Sequence, residues 1–166
     1  FARHTRVALH GARRGLEVRR MRPEAQATRG VREAMVGRRD GSEVTIRPIR
    51  PEDAEMETDF ITELSDESRY LRFLSIVRHV TPEMIARFTQ IDYDREMALI
   101  ATRHEQGRES IIGVARYVRD PNPVSAEFAI VIADRAQRKG LASKLMGRLM
   151  TNARFAGIER LRGLVL

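Results

Sequence analysis

The stretch from Ala126 to Met150, AEFAIVIADRAQRKGLASKLMGRLM, limits the possible folds more than any other part of the chain. Ala126 to Ile132 is apolar apart from Glu127, as expected of a buried strand. A basic turn with one glycine follows. Leu141, Leu145, Leu149 and Ala153 then recur at helical spacing, with Met146 and Met150 beside them. That stripe reads as core. Lys144, Arg148 and Arg154 lie off it, toward solvent. A strand leading directly into an amphipathic helix requires a layered α/β arrangement.

The turn between them, Gln137-Arg138-Lys139-Gly140-Leu141-Ala142, has chemistry of its own. A helix N-terminus leaves about four amide N–H groups without intrahelical partners, and the helix dipole adds positive potential there. Gly140 and Ala142 are small enough for a phosphate to approach the backbone. Arg138 and Lys139 add positive charge, and the Ser143 hydroxyl can donate. This combination suits a pyrophosphate. It is neither a Walker A loop nor a G-x-G-x-x-G turn. Such a turn can also be a simple helix cap. Its place between an apolar strand and a helix favours anion binding.

The rest of the chain completes a mixed α/β pattern. Glu43 to Arg50 alternates polar and apolar as a half-buried strand does, with Pro48 suggesting an edge or an end. Pro51-Glu52-Asp53 opens a helical region over 54–74, whose apolar residues are Phe60, Ile61, Leu64, Leu71 and Leu74. The cluster Ser65-Asp66-Glu67-Ser68 divides it in two. Thr81-Pro82-Glu83 starts another helix, with Met84, Ile85 and Phe88 on one face. Glu96 to Arg103 and Ser110 to Val118 read as strands joined by a polar turn that includes His104. After the turn Asp120 to Pro123 come the Ala126 strand and a helix from about Gly140 to Ala156, capped by Gly157. A last strand begins at Ile158. The predicted order is β-α-α-β-β-β-α-β, with the final helix and strands of such a fold expected beyond Leu166.

Charge is unevenly distributed. Of the net +7 on 166 residues, all comes from residues 1–40, where eleven arginines face Glu17, Glu24, Glu33 and Asp40. Residues 41–166 balance 19 basic against 19 acidic side chains. Residues 1–41 therefore read as a basic linker or the tail of an upstream region, and 42–166 as the domain. Arginine richness suggests a transit peptide, but the acids and the lack of serine argue against one. A solvated arm is preferred to a nucleic-acid contact. No apolar run approaches the roughly 20 residues needed to span a bilayer, and the absence of cysteine removes disulfides, thiolate metal sites and a cysteine nucleophile. A cytoplasmic setting is the expectation. The chain starts at Phe1, so a fragment of a longer protein is expected too.

Glu127 is the second element of the candidate site. By alternation it shares a face with Ala129 and Val131, while Phe128, Ile130 and Ile132 point the other way. A carboxylate within an apolar strand is costly unless paired or used, and desolvation would suit it to accept a proton. The competing reading is a strand-end glutamate that reaches solvent or pairs with Arg116. His79 and His104 show no ligand-like or triad-like spacing, and Asp92-Tyr93-Asp94 reads as a helix stop.

On these residues the chain resembles the GCN5-related N-acetyltransferases. Gln137, Gly140 and Ala142 meet that family's Gln/Arg-x-x-Gly-x-Gly/Ala motif at a strand-to-helix junction. The segments VTIRPIRPEDAE, LSDESRYLRF, FTQIDYDREMALIA and AEFAIVI are similar to the bacterial protein lysine acetyltransferases, which are fused to an NDP-forming acyl-CoA synthetase-like region. The resemblance covers residues 41–166. It implies acetyl-CoA as cosubstrate, no metal, and a protein lysine as acceptor, such as the active-site lysine of an acyl-CoA synthetase. Glu127 matches the family's catalytic glutamate. Ile130, Val131 and Ile132 would offer backbone groups to the pantetheine arm and thioester. The residues Gln137, Arg138, Lys139, Gly140, Leu141, Ala142 and Ser143 would form the pyrophosphate turn. The family's tyrosine acid has no counterpart that can be assigned in this sequence. Acetylation of a small amine and non-catalytic acyl-CoA sensing stand as alternatives.

Overall fold

The computed structural model describes residues 3–8, 34–37, 43–73, 79–105 and 107–165. Its strands are β1 (Arg3–Ala8), β2 (Ala34–Gly37), β3 (Glu43–Pro48), β4 (Glu96–Glu105), β5 (Arg108–Arg119), β6 (Ser125–Ile132) and β7 (Arg160–Val165). Its helices are α1 (Ala54–Glu63), α2 (Asp66–Phe73), α3 (Pro82–Thr89) and α4 (Leu141–Phe155). One sheet takes all seven strands in the order β1-β7-β6-β5-β4-β3-β2. Neighbours are antiparallel except β6 and β7, which run parallel.

Helices cover both faces of the sheet. Helix α4 packs on β4, β5 and β6. A Cβ placed on Gly113 of β5 would lie 2.8 Å from Ile132 Cδ1 and 3.1 Å from Leu145 Cδ1, so α4 and that face of β5 meet with no room for a side chain. On the opposite face the α3 residue Phe88 covers Arg116, and α3 packs in turn on α1. This double cover explains why β4 and β5 are buried without alternation from Met97 to Thr102 and from Ile111 to Tyr117.

Local chemistry fixes several boundaries as expected. The Thr81 hydroxyl accepts from the Met84 amide at 3.3 Å and Pro82 opens α3. Leu141, Leu145, Leu149 and Ala153 are the buried face of α4. Gly157 at φ +76 ends it, with the Ile158 amide returning to the Ala153 carbonyl at 2.9 Å. Asp53 does more than favour a dipole. It is buried, receives both Arg47 terminal nitrogens at 2.7 Å and the Arg50 amide at 2.8 Å, and so ties β3 to the start of α1.

Two features differ from the sequence reading. The basic segment contributes two strands: β1 pairs with β7 and β2 with β3, each edge offering unpaired backbone groups that a short alternating piece can satisfy. The rest of 1–42, and Leu74, lie outside the described residues. His104 belongs to β4 and not to a loop, because pairing continues to Glu105↔Arg108 and Gly107 turns the chain at φ +78.

Candidate active site

The strand β6 leaves the sheet at Ile132 and passes through a short 3₁₀ turn, Asp134–Ala136, before α4. Ala136 is fully buried and anchors that turn. Beyond it the backbone enters the left-handed region twice, at Arg138 (φ +59) and at Gly140 (φ +78). Glycine accepts this conformation freely, whereas at a residue with a side chain it costs roughly 1–2 kcal/mol. The result is a concave run of amides, of the kind that holds anions, directly ahead of the helix. The Lys144 amide makes the first recorded return bond of α4, to the Gly140 carbonyl at 3.3 Å. The cap residue Gly140 supplies no side-chain bond, and the first turn carries no acid. The Leu141, Ala142 and Ser143 amides therefore face outward with the dipole behind them.

These residues line one cleft of about 340 Å³. Its walls are Ile130, Val131 and Ile132 from β6, then Gln137, Arg138, Gly140, Leu141, Ala142 and Ser143, with Ser68 and Ala136. Of the ten residues assigned from sequence to cofactor binding, only Lys139 is not part of this lining. It stands exposed at the rim.

Beside the cleft, β6 and β7 are paired over only three residues. Their parallel register covers Ser125 to Glu127 against Arg160 to Arg162. At the next position the Phe128 ring lies over Gly163, where a Cβ would sit 2.6 Å from two of its atoms. Beyond this contact, β6 from Phe128 to Ile130 keeps a strand partner only on its β5 side among the described residues. An extended ligand with amide groups can pair with such an edge as an added strand does.

One residue that sequence reading passed over holds the cleft together. The Asp134 carboxylate accepts from the Ser65 amide at 3.0 Å, the Ser65 hydroxyl at 3.1 Å, the Ser68 hydroxyl at 2.9 Å and the Gln137 side-chain amide at 3.3 Å. These donors, the Ser65 amide first, hold its carboxyl below the usual carboxylate range against the smaller opposing effect of burial. Gln137 also donates to the Ile132 carbonyl at 3.1 Å. Its amide is thus engaged in closing the turn back onto the strand. The Ser65-Asp66-Glu67-Ser68 cluster, read only as a helix break, is the far anchor of this clamp. An S-x-x-S at a helix start is the one sequence signal that pointed there.

Glu127 lies at the other end of β6, away from the residues that line the cleft. It is exposed, which corrects the expectation of a desolvated acid. The strand is already in the core at Ala126, but Glu127 points to the opposite face, which is open at this end of β6. Nor does it pair with Arg116. That guanidinium donates to Glu96 Oε2 at 2.8 Å and stacks 5.3 Å from the Phe88 ring centre. His79 and His104 are exposed, and no described group of acids or histidines is placed to hold a metal. Asp92 shapes a turn by accepting from the Asp94 amide at 3.0 Å. Tyr93 donates to the Ile49 carbonyl, and burial pushes its hydroxyl up to about 12, so it is a structural group.

Comparison with known proteins places this arrangement. The model of the acetyltransferase (GNAT) family matches residues 58–165. An acetyltransferase of Pseudomonas aeruginosa is 38% identical over 122 residues, covering 74% of this chain and 66% of that protein. Acetyltransferase Pat of Mycolicibacterium smegmatis is 33% identical over 129 residues, covering 77% of this chain and 38% of that protein. The chain thus spans less than two thirds of the length of these relatives. Among solved structures, the GNAT domain of S. lividans PAT superposes with a TM-score of 0.70 at 32% identity, covering 79% of this chain and 77% of that domain.

Proposed function

Starting from the chain's membership of the GNAT acetyltransferase family, we propose that it is an acetyl-CoA-dependent N-acetyltransferase whose acceptor is a protein lysine. The observation that carries this reading is the cleft itself. It joins an open strand edge, Ile130 to Ile132, to a run of outward amides and the positive end of α4. Those two surfaces suit the pantetheine amides and the pyrophosphate of one coenzyme A molecule. Acetyl-CoA would supply a thioester as the acyl donor.

The chain's own residues perform the remaining work. A free lysine amine titrates near 10.4, so at neutral pH little of it is nucleophilic without a base. Glu127, exposed on the strand that lines the cleft, would accept the ammonium proton through water. The neutral amine would then form the C–N bond as the C–S bond breaks, and the second nitrogen proton would pass through solvent to the departing thiolate. Arg138, Lys139 and the amides up to Ser143 would hold the phosphates, while Gln137 and Asp134 keep that turn in place. The lysine acceptor is supported by the likeness to Pat proteins. An acyl-CoA synthetase as the acceptor protein, fusion to an NDP-forming synthetase-like region and a cytoplasmic setting belong to the same proposal. Among the described residues no helix is long and apolar enough to cross a membrane.

The test is transfer of labelled acetyl from acetyl-CoA by the complete protein to three acceptors: an AMP-forming acyl-CoA synthetase, a polyamine and an aminoglycoside. Labelling of the synthetase lysine, lost in Glu127→Ala while acetyl-CoA binding persists, is the expected result. Labelling of a small amine alone would replace the protein acceptor. Calorimetric binding of acetyl-CoA without transfer to anything would make the chain a sensing module.

A further inference from the structure

The β-sheet register sets Glu127 in a row of four side chains on one face: Glu96 of β4, Val118 of β5, Glu127 of β6 and Arg162 of β7. In the next row, Arg116 stands opposite Ala98 on one side and Ala129 on the other. Arg116 is therefore a diagonal neighbour of both Glu96 and Glu127, with Val118 between them. Diagonal neighbours lie within reach of long side chains. Glu127 thus has the buried Arg116 diagonal to it and Arg162 directly beside it.

Neither arginine pairs with it. Arg116, with a side chain 10% exposed, is held by Glu96 at 2.8 Å. Among the described residues its Nε is buried without a hydrogen-bond partner, and Glu96 and the Phe88 ring fix its direction. Arg162 is held by Asp120 at 2.6 Å; its side chain is 46% exposed and that of Asp120 17%, so it is the weaker of the two neighbours. Glu127 itself makes no ion pair with a described residue. Other charges nearby are weakly placed to replace these two. Arg160 is diagonal on β7 but exposed, and exposed pairs contribute little. On α2, which packs on β6, Asp66 and Glu67 are exposed, and Arg69 donates to the Thr62 and Leu64 carbonyls. Glu83 and Arg87 of α3 are exposed as well.

We infer that Glu96 and Asp120 are positioning residues for acyl transfer: each holds an arginine that would otherwise pair with Glu127, and so keeps that carboxylate available to take the acceptor's proton. An arginine on Glu127 would stabilise its charged form and make it a poorer proton acceptor. This inference rests on the reading of Glu127 as the base. It adds that the base works because two other acids occupy its neighbours.

The experiment compares the complete wild-type protein with Glu96→Gln, Glu96→Gln/Arg116→Met and Asp120→Asn, by crystal structure and by the pH profile of acetyl transfer to the acyl-CoA synthetase acceptor. In Glu96→Gln, Arg116 should turn to within about 4 Å of Glu127. The acidic limb of the profile should move down by about one pH unit, and kcat should fall about threefold with KM for acetyl-CoA unchanged. Removing Arg116 in the double variant should return the limb to its wild-type position. Asp120→Asn should move the limb the same way by less than half as much, and about 1 M salt should erase that shift. The inference is overturned if Arg116 stays away from Glu127 and the limb does not move, or if the double variant fails to restore it. Should Glu96→Gln not fold, an unmoved limb in Asp120→Asn overturns it. Undiminished turnover in Glu127→Gln would instead remove the base reading, while the crystal structures still decide whether Glu96 holds Arg116 away.

Discussion

At its C-terminal end β6 runs into a turn whose ligand-facing residues are neighbours in sequence, whereas Glu127 at its N-terminal end is surrounded by residues from β4, β5 and β7. The first end is built by local rules: two left-handed residues, a helix start and small side chains. The second is built by register. A short segment can encode an anion site because backbone amides and a helix dipole are present in any such turn. A usable carboxylate depends on which charges stand beside it, and strand pairing decides that.

The largest effect expected from breaking this comparison is at Glu127, the proposed base. Glu127→Gln should lower acetyl transfer by about 10²–10⁴-fold. Acetyl-CoA affinity measured by calorimetry should stay close to wild type, because the turn does not depend on Glu127. Loss of both together would show that the two ends are one unit. Next comes the close contact between the Phe128 ring and Gly163. Gly163→Ala puts a methyl 2.6 Å from the Phe128 ring, and chemical denaturation should show a loss of about 1–3 kcal/mol.

The clamp on the turn comes third. Asp134→Ala should raise the acetyl-CoA dissociation constant about tenfold with kcat preserved, since it frees the turn from Ser65 and Ser68 without touching Glu127. The folded Asp134 carboxyl titrates below its usual range. Its contribution is therefore fully present above the unfolded value of about 3.9 and lost as pH falls through the lower folded value. The stability difference between wild type and Asp134→Ala should accordingly be flat from about pH 5 to 9 and shrink only in stronger acid. Smallest is the strain at Arg138. Arg138→Gly should stabilise the protein by about 1 kcal/mol, read as a rise of about 2–4 °C in Tm. A fall in Tm would mean that the Arg138 side chain makes contacts worth more than its backbone strain.

Much of the turn was legible because its signals are short-range. Helical spacing placed the buried face of α4, Gly157 marked its end and Thr81 the start of α3. The clamp was not legible, because Asp134 meets partners 66 and 69 residues away and nothing in the local sequence pairs them. The surroundings of Glu127 misled for the same reason. Apolar neighbours along the strand suggested burial, yet the side chain lies on an open face between Val118 and the exposed Arg162. The strand β1 was missed because its partner is the outer edge of β7, at the other end of the chain.

By itself the sequence determined the strand, the turn and the helix, and with them the positive helix end that the proposal gives to a phosphate, since dihedral preference, dipole and periodicity act over a few residues. Only the tertiary structure decided that the strand edge opens beside Phe128, that Asp134 locks the turn to α2, and that Glu96 and Asp120 hold the arginines next to Glu127. Those outcomes depend on sheet register, which is fixed by the packing of the whole core and not by any one segment.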